Sequence, residues 1–561
     1  DPSGSFQNIN RRYDIVYGDV MLNFNYNIRR FDIAATLGWT GRYENMNNMR
    51  VSTNGGLVTE NWFDLNASRY TASSTLQRME LLKTGYMGTL SLGWDNYLFL
   101  ELTGRQERSS TLKDQSFFYP SANLSFLFSN AFRMPAWWNH GKLRLSYGIV
   151  GNAPETYAAN VIYEQGSDNG FTWNYVPSSW GNANIRPEKK YEYEIGFESK
   201  FLNNRVGFDV SYYNNRVKDQ ILSTPQPSTS GVKYVLMNVG EVANEGWDIS
   251  VSATPILTKD FRWDLTANYG IYRNKVVKLA EGVPYLEISN IGGGGAKIQA
   301  VEGRPMGDIY VQVPQVNENG DYLVSDKGLY LNQTDLQRVG NINPDGVGGL
   351  FSSFSYKNIF LDFSIDFRIG GDVINEMYQY STASGLTPES LQYRDTEHGG
   401  LSYYYPGNNN ASGVPVQVDP SLGAGPNGEV IYHDGVILPG VVASTGEKNT
   451  RIIPAGYYYN QTYNWGTQPE QYTYRHSVFD NTYVKLRELT VGYQFPEKLV
   501  SKLGMTRLSV SVFGRNLFYF YKALKNYDAE SSVGTSWASQ AVVGGSTTAT
   551  RNFGVSLRAS F

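Results

Sequence analysis

The sequence predicts an all-β protein, a transmembrane antiparallel β-barrel with long extracellular loops. Three observations predict it. Apolar and polar residues alternate in many segments, short turns alternate with long connections, and the chain ends on an alternating segment whose last residue is Phe561. The 561 residues include 42 Tyr, 27 Phe and 11 Trp, and 18% are charged, compared with about 25% in soluble proteins. Disordered chains contain few aromatic residues, so disorder is excluded.

Alternating segments define the predicted strands. The clearest lie at 206–212, 261–271, 359–369 and 553–561, with others at 90–94 and 143–149. Alternation gives a strand one apolar and one polar face. A transmembrane barrel turns the apolar faces to lipid, whereas a soluble sandwich buries them against each other. Many segments run for about 10 to 13 residues, which suits a tilted membrane-spanning strand. The pattern gives roughly 14 or 15 strands and leaves helix as a minor component.

Connections of two lengths alternate along the chain. Tight turns are predicted at 203–204, 258–260 and 357–358. Long connections are predicted at 41–86, 151–188, 273–348, 372–481 and 517–550. Short turns on one side and long loops on the other are typical of outer-membrane barrels. We therefore expect the short turns to face the periplasm and the long loops to lie outside the cell.

Composition excludes several other classes of protein. The formal net charge is −4 and the sequence pI is about 5.8, so the chain has no basic excess for binding nucleic acid. The absence of Cys removes disulfides, thiolate zinc sites and thiol nucleophiles. The mean hydropathy is −0.39, and no apolar run approaches the roughly 18 residues of a membrane-spanning helix.

Residues that could support catalysis or metal binding form no recognised pattern. None of the four histidines has a metal-ligand neighbour at a useful spacing, and no hydrolase or phosphate-binding motif is present. The segment VNENGDYL, with Asn317, Asn319 and Asp321, faintly resembles a calcium loop but lacks the bidentate Glu. The sequence therefore assigns no catalytic residue, no cofactor and no metal ligand.

Five ordered blocks resemble the SusC/RagA branch of TonB-dependent outer-membrane transporters. NIRPEKKYEYEIGFE (184–198) and the following FLNNRVGFDVSYYNNRVKDQI (201–221) are similar to elements near the middle of such barrels. NVGEVANEGWDISVSATPI (238–256) resembles the next strand of that branch. VGNINPDGVGGLFSSFSYKNIFLDFSIDFRIGGDVIN (339–375) resembles its glycine-rich block. NTYVKLRELTVGYQFP (481–496) and LSVSVFGRNLFYF (508–520) resemble its last strands.

The resemblance implies a 22-stranded barrel with a plug domain in its lumen. It further implies that residues 1–561 are the C-terminal part of a single TonB-dependent receptor barrel domain. The plug domain and the early strands are then absent from this chain. Such a part has an open strand edge near residues 20–28, which lipid does not tolerate. We therefore expect the missing N-terminal barrel and plug segment, together with outer-membrane lipid, among its partners.

The resemblance also implies a function. It makes the protein an active importer of oligosaccharides or peptides in the cell outer membrane, and not an enzyme. A SusD-like surface lipoprotein would cover the barrel, and TonB would act through the plug region that is not present here. Two alternatives stay open at this point, a passive porin-type channel and a secreted carbohydrate-binding β-protein.

Aromatic clusters in the long loops are the candidate substrate-binding residues. Aromatic rings with polar tips can stack on sugar rings or peptide side chains, although packing within loops is the alternative. The candidates are Trp173, Tyr175, Trp180, Tyr403, Tyr404, Tyr405, Tyr457, Tyr458 and Tyr459. A further cluster contains Trp465, Tyr472 and Tyr474. The tryptophans near strands, interpreted as lipid-facing or belt residues, are Trp39, Trp94, Trp247 and Trp263.

Overall fold

A computed structural model describes residues 4–113, 116–168, 171–227, 229, 231–291, 294–464, 474–545 and 549–561. The chain divides into two units. The first comprises Asp1–Trp247 with Val277–Val283, and the second comprises Asp248–Val276 with Pro284–Phe561. Helix is a minor component, as the sequence predicts. No helix in the described ranges is long and apolar enough to cross a membrane.

The first unit consists mainly of long strands. Its strands are β1 (Gln7–Ile28), β2 (Phe31–Leu57), β3 (Ser68–Trp94), β4 (Leu98–Ser109), β5 (Ser116–Phe126), β6 (Trp138–Asn152), β7 (Glu164–Asp168), β8 (Phe171–Tyr175), β9 (Ser179–Trp180), β10 (Glu188–Phe201), β11 (Val206–Lys218), β12 (Ile221–Pro225) and β13 (Tyr234–Asn238). One short helix, α1 (Phe128–Ala131), lies between β5 and β6. β14 (Glu241–Leu257) begins in the first unit and ends in the second.

The second unit adds long strands and several small sheets. Its strands are β15 (Phe261–Lys278), β16 (Tyr285–Ile291), β17 (Ala296–Val301), β18 (Asp308–Val311), β19 (Leu323–Val324), β20 (Gln337–Asn341), β21 (Gly346–Tyr356), β22 (Ile359–Ile369), β23 (Asp372–Asn375), β24 (Leu401–Tyr404), β25 (Val416–Gln417), β26 (Ile431–Val436), β27 (Val441–Val442), β28 (Ile453–Pro454), β29 (Val478–Asp480), β30 (Tyr483–Gln494), β31 (Arg507–Lys522), β32 (Val542–Val543) and β33 (Asn552–Ser560). Its α-helices are α2 (Glu376–Ala383), α3 (Ala455–Tyr463) and α4 (Glu497–Val500).

Fifteen strands form one antiparallel sheet. Their order is β1-β2-β3-β4-β5-β6-β10-β11-β14-β15-β21-β22-β30-β31-β33. Apart from the small strands within connections, neighbours in the sheet follow one another along the chain, as in up-and-down barrels. The predicted all-β class is confirmed, and the 15 strands of this sheet agree with the predicted 14 or 15.

The apolar faces of these strands are exposed, as contact with lipid requires. Val20 on β1 and both Val555 and Leu557 on β33 are each 70% exposed. A water-soluble protein rarely leaves contiguous rows of such side chains open to solvent. The exposure therefore fits the outward apolar band of a membrane barrel.

Aromatic side chains cluster at two levels of the first unit. Near the tight turns, Phe201 packs on Trp138, with ring centroids 5.5 Å apart. Toward the long connections, Tyr212 packs against Trp247 at 4.9 Å and against Tyr193 at 6.4 Å. Tyr193 and Phe201 are eight residues apart on β10, about 26 Å along a strand. This spacing suits the aromatic girdles on either side of a tilted, membrane-spanning band.

The tight turns lie where the sequence predicts them. The turn after β10 has positive φ at Asn203 and Asn204, 58° and 61°, a conformation that Asn adopts more readily than most residues. Residues 258–260 join β14 to β15, and residues 357–358 join β21 to β22. Because successive strands are antiparallel, the long connections 153–187, 279–345 and 370–482 leave their strands at the opposite ends.

One predicted connection, 41–86, is wrong. These residues belong to β2 and β3, which pair from Phe31 and Trp94 to Leu57 and Ser68, so only 58–67 connect them. The outer halves of both strands carry polar residues on both faces, among exposed apolar residues such as Met49 and Leu76, so the regular alternation that marks a strand in lipid is missing there. The last predicted connection also begins later than expected, because β31 continues to Lys522.

The first strand begins earlier than the predicted edge at 20–28. β1 starts at Gln7, pairs with β2 along its whole length and stands first in the order of the sheet. The existence of further strands or a plug outside this chain stays a prediction.

Candidate functional site

The long connections of the second unit are folded and share a hydrophobic core. Ile291, Ala296, Ile298, Ile309, Val311, Ile342, Ile374, Tyr474, Val478, Ala538, Ala541 and Val542 form this core. They come from the connections 279–345, 370–482 and 523–551. We call this cluster of residues the three-loop core. β23 hydrogen bonds to β29 on one side and to β32 on the other, which joins two of the connections by backbone. These connections therefore form a structured assembly.

A close contact between Gly340 and Asp372 joins the connection 279–345 to the connection 370–482. The Asp372 carboxylate accepts a hydrogen bond from the Asn341 backbone N–H at 3.0 Å. A Cβ at Gly340 would overlap the same carboxylate, so a larger residue does not fit there. Burial raises the pKa of Asp372. The block 339–375 thus carries a packing constraint that explains one of its glycines.

A buried carboxylate fixes the four-stranded sheet β16-β17-β18-β20. Asp308 is fully buried, and its oxygens meet Arg304 Nε at 2.5 Å and Arg338 Nε at 2.9 Å. Asn341 Nδ2 donates to the same carboxylate at 2.9 Å. A buried charge is tolerated when it is paired and hydrogen bonded in this way. Asp308 therefore holds residues before β18 and on β20 in a fixed arrangement.

An ionic network holds the last connection to the long strands. Glu530 in the connection 523–551 meets Lys485 Nζ at 2.6 Å and Arg487 Nη2 at 2.5 Å. Arg487 also reaches Asp366 on β22, with Nε 2.6 Å from the carboxylate. Burial alone would raise the pKa of Glu530, but hydrogen bonds from Arg487 and Lys485 outweigh it and lower the pKa to about 2. The network anchors this connection to β30 and β22.

The sheet β16-β17-β18-β20 separates the three-loop core from a cavity of about 800 Å³. Ile298 and Ile309 are cross-strand partners that face the core. Side chains alternate across a strand, so the next pair, Lys297 and Tyr310, faces the other way and lines the cavity. The core thereby supports the cavity wall.

Two of the predicted aromatic residues, Tyr403 and Tyr405, are packed inside a connection. Their rings meet edge to face at 5.5 Å, and Tyr403 stacks on Tyr432 at the same distance. Tyr403 is 1% exposed and donates a hydrogen bond to Asp434 at 3.1 Å, and burial raises its pKa. Burial therefore favours a packing role here, while Tyr404 is half-buried.

The tyrosines at 457–459 lie on α3 and likewise differ in how far they are buried. Tyr459 is buried, donates to the Glu389 carbonyl at 2.8 Å and lies under the Arg394 guanidinium at 5.4 Å. Tyr458 is half-buried and packs on Tyr459 at 4.9 Å. Tyr457 is exposed. Of these three residues, Tyr457 is the one whose ring is open to a ligand without rearrangement.

The cluster in the first unit is more open. Trp173 and Tyr175 are exposed on the hairpin β7–β8, and the Trp173 ring covers Gly166 so closely that a Cβ there would overlap it. Trp180 is half-buried and meets Tyr163 edge to face at 5.7 Å. Substrate contact by any of the nine candidate residues stays a prediction.

The remaining aromatic assignments divide as follows. Trp465 and Tyr472 lie outside the described residues, whereas Tyr474 belongs to the three-loop core. Trp39, Trp94 and Trp247 are exposed near strand ends or on strand faces, as expected of belt residues. Trp263 is half-buried, and its Nε1 donates to Ser352 at 2.9 Å.

The segment that resembles a calcium loop uses its polar groups internally. Asn317 Oδ1 accepts hydrogen bonds from the backbone N–H groups of Asn319 and Asp321, each at 2.9 Å. Asn317 Nδ2 donates to the Asp321 carboxylate at 3.2 Å. Among the residues described by the structure, no group of three or more His, Cys, Asp or Glu is placed to hold a metal ion.

Sequence reasoning missed the cavity beside β17 and β18. Its amide side chains are spread over more than thirty residues, from Gln299 to Gln333, and amides are common in loops of any kind. The alternation of β17 and β18 could have indicated an inner and an outer face. It could not have indicated that the outer face borders a cavity.

A family model described as TonB dependent receptor-like, beta-barrel, matches residues 1–307, more than half of the chain. TonB-dependent receptor P3 of Formosa agariphila is 23% identical over 483 residues, which are 80% of this chain and 42% of that receptor. TonB-dependent receptor SusC of Bacteroides thetaiotaomicron is 27% identical over 247 residues, 40% of this chain and 24% of SusC. The chain therefore spans about half the length of the curated relatives it matches.

Solved structures show a similar fold. The RagAB peptide transporter matches with a TM-score of 0.69 at 18% identity, covering 99% of this chain and 57% of that chain. At this identity the likeness concerns the fold alone. The predicted resemblance to the SusC/RagA branch and the predicted outer-membrane location are confirmed by the family and its relatives. The family match also favours a receptor over the porin and secreted alternatives, and we conclude that this chain belongs to the TonB-dependent receptor β-barrel family of outer-membrane proteins.

Proposed function

We propose that this chain forms wall and loops of a TonB-dependent active importer for oligosaccharides or peptides. In this proposal a SusD-like surface lipoprotein covers the extracellular side. TonB acts through a plug region that, with the missing N-terminal strands, completes the transporter. Family membership, similarity to SusC and the fold shared with the RagAB peptide transporter support it. The protein then moves its substrate without breaking bonds.

The exposed hairpin β7–β8 is the observation that carries this proposal. Phe171, Trp173 and Tyr175 alternate along β8 and are 76%, 48% and 44% exposed. In the described residues, β7 and β8 form a sheet of two strands, and such a hairpin is marginally stable by itself. An exposed apolar patch on a soluble surface is typical of a contact with another molecule.

The position of the hairpin fits this role. It lies in the connection 153–187, which leaves the long strands at the end opposite to the tight turn after β10. Tight turns face the periplasm in outer-membrane barrels, so this connection faces outwards. Its aromatic rings are therefore presented where a surface lipoprotein or an arriving substrate would meet the receptor. Tyr and Trp give a large contact area while few torsion angles are fixed.

The test uses the full-length protein in its native outer membrane. A variant with Phe171→Ser, Trp173→Ser and Tyr175→Ser removes the aromatic face, and Thr172→Ala with Asn174→Ala alters the other face as a matched control. We expect co-purification of a SusD-like lipoprotein, identified by mass spectrometry, to fall at least about tenfold in the triple variant. The control variant should retain the lipoprotein.

A second measurement tests energy dependence. Uptake of an oligosaccharide or peptide that cells take up through this receptor should stop when TonB is deleted or the proton gradient is dissipated. Uptake that persists without TonB, accompanied by steady ion conductance in planar bilayers, would contradict the importer and favour the passive channel.

A further inference from the structure

We propose that the cavity beside the sheet β16-β17-β18-β20 is a binding site for a neutral oligosaccharide. The inference rests on the proposed import function and deepens it, since it names a site and a substrate class. The cavity volume of about 800 Å³ lies within the range of roughly 300–1,000 Å³ that is typical of small-molecule sites. It can therefore enclose several sugar rings or cover the end of a longer chain.

Five of the fourteen described residues that line the cavity carry side-chain amides. They are Gln299, Gln312, Gln315, Asn332 and Gln333. A carboxamide offers a donor and an acceptor side by side, and a pair of neighbouring sugar hydroxyls offers the same combination. A site with several such groups can hold a polyhydroxylated molecule in one orientation.

One of the lining residues, Gln312, has a side-chain oxygen without a hydrogen-bond partner in the described part of the chain. Gln312 follows β18 directly, is 8% exposed and lines the cavity. Its Oε1 accepts no hydrogen bond from the residues that the structure describes. A buried carbonyl oxygen without a donor is unfavourable, and native proteins leave few of them. The oxygen is itself buried, so a hydroxyl group of a ligand can donate to it once the amide rotates toward the cavity.

Charge in the cavity favours a neutral ligand. Among the described lining residues, only Lys297 and Asp335 carry charge. Lys297 Nζ is already 2.7 Å from the Glu287 carboxylate, so it is paired within the protein. A peptide carries charged termini and mixed side chains, and its apolar side chains would need apolar recesses. Ile298 and Ile309 are turned to the three-loop core instead. The aliphatic side chains of the described lining are limited to Pro284, Val301 and Leu336.

Two tyrosines complete the match to a saccharide. Tyr285 at the start of β16 is exposed, and Tyr310 on β18 is half-buried, and both line the cavity. A phenol ring can stack on the apolar face of a sugar while its hydroxyl group hydrogen bonds. A neutral sugar has hydroxyl groups around its ring, which amides can bind, and apolar ring faces, which aromatic rings can cover. The cavity lining provides both kinds of partner.

The test measures binding to the full-length receptor in detergent. The probes are neutral hexasaccharides of the glucan, mannan, xylan and galactan series, and a mixed library of pentapeptides as the competing class. Gln299→Leu and Gln312→Leu remove cavity amides while keeping side-chain size. Gln337→Leu makes the same change on β20 of the same sheet, at a residue outside the cavity lining. Titration calorimetry gives each affinity, and thermal unfolding reports folding.

We expect at least one hexasaccharide to bind, and both cavity variants to lose at least tenfold in affinity while Gln337→Leu retains it. Gln312→Leu removes an unpaired buried oxygen, so its melting temperature should not fall. Unchanged saccharide affinity in both cavity variants overturns the inference, as does binding of the pentapeptides in place of every saccharide. A saccharide that binds here but is never taken up by cells would refute the import function and leave this site standing.

Discussion

The ionic anchor around Glu530 gives the prediction whose size follows most directly from the structure. Glu530→Gln would leave Lys485, only 2% exposed at its side chain, without its carboxylate partner. The pKa of Glu530 falls from 4.5 to about 2, which corresponds to ~3 kcal/mol in favour of the ionised form. Glu530 is partly exposed, and screening by solvent reduces this to ~2 kcal/mol. We expect the connection 523–551 to open more easily by this amount.

Hydrogen exchange at pH 7 on the full-length protein measures the effect. A loss of ~2 kcal/mol corresponds to about 30-fold faster exchange in the peptides covering 528–545. Exchange in β1–β6 should not change. Glu497→Gln, the same substitution at an exposed carboxylate on α4, serves as the control and should leave exchange as in the wild type.

The pH dependence has a definite direction. Because the folded-state pKa of Glu530 lies below the unfolded value, its contribution is complete above about pH 4.5 and is lost as the pH falls toward 2. Limited proteolysis after exposure to this pH range should show opening of 528–545 in the wild type and little further change in Glu530→Gln. Equal protection in the two proteins at pH 7, or equal loss in Glu497→Gln, would refute the anchor.

Three further predictions concern the lipid face, the packed loops and the glycine contact. Phe363→Arg or Leu265→Arg should cost about 2–4 kcal/mol near the membrane midplane and Asp362→Asn little, as measured by urea unfolding in lipid vesicles. If the polar-face change proves more harmful, the two faces are assigned the wrong way round. Tyr403→Ala should destabilise its connection by about 3–5 kcal/mol, whereas Tyr403→Phe loses only one hydrogen bond to a carboxylate, about 1.5–3 kcal/mol. Proteolysis within 401–436 distinguishes them, and equal sensitivity of both variants would argue against packing. Gly340→Ala should displace the Asp372 carboxylate and speed hydrogen exchange at 341–345, whereas Gly423→Ala, whose Cβ meets nothing within 4 Å, should not. Identical exchange in both variants would show that the Asp372 side chain moves aside at little cost in free energy.

The sequence predicted strands well where lipid meets one of their faces. Around Phe363, apolar and polar residues alternate because lipid selects one face and water the other. The outer halves of β2 and β3 have polar residues on both faces, with Asn45 and Asn47 on one face and Ser73 on the other. Backbone pairing holds these halves together and requires no side-chain pattern. That is why the segment 41–86 reads as a loop.

The candidate site was only partly accessible from sequence. Aromatic residues in loops could be found, but Tyr403 and Tyr457 look alike in the sequence although one is buried and the other exposed. Burial depends on contacts between segments that are distant along the chain. Ile298 and Val542, for example, share one core although more than 240 residues separate them. The amides that line the cavity could not be identified from the sequence for the same reason.

The three-loop core has a consequence for how receptors of this kind can diversify. A new loop taken from a relative in place of 372–481 would bring its own apolar side chains against Val311 and Val542, which belong to the other two connections. Such chimaeras should misfold unless all three segments are exchanged together. Single substitutions on the exposed or cavity-lining faces meet no such restriction. Substitutions that change specificity should therefore accumulate at those faces during evolution. Exchange of connections between relatives should succeed only when all three connections are exchanged together.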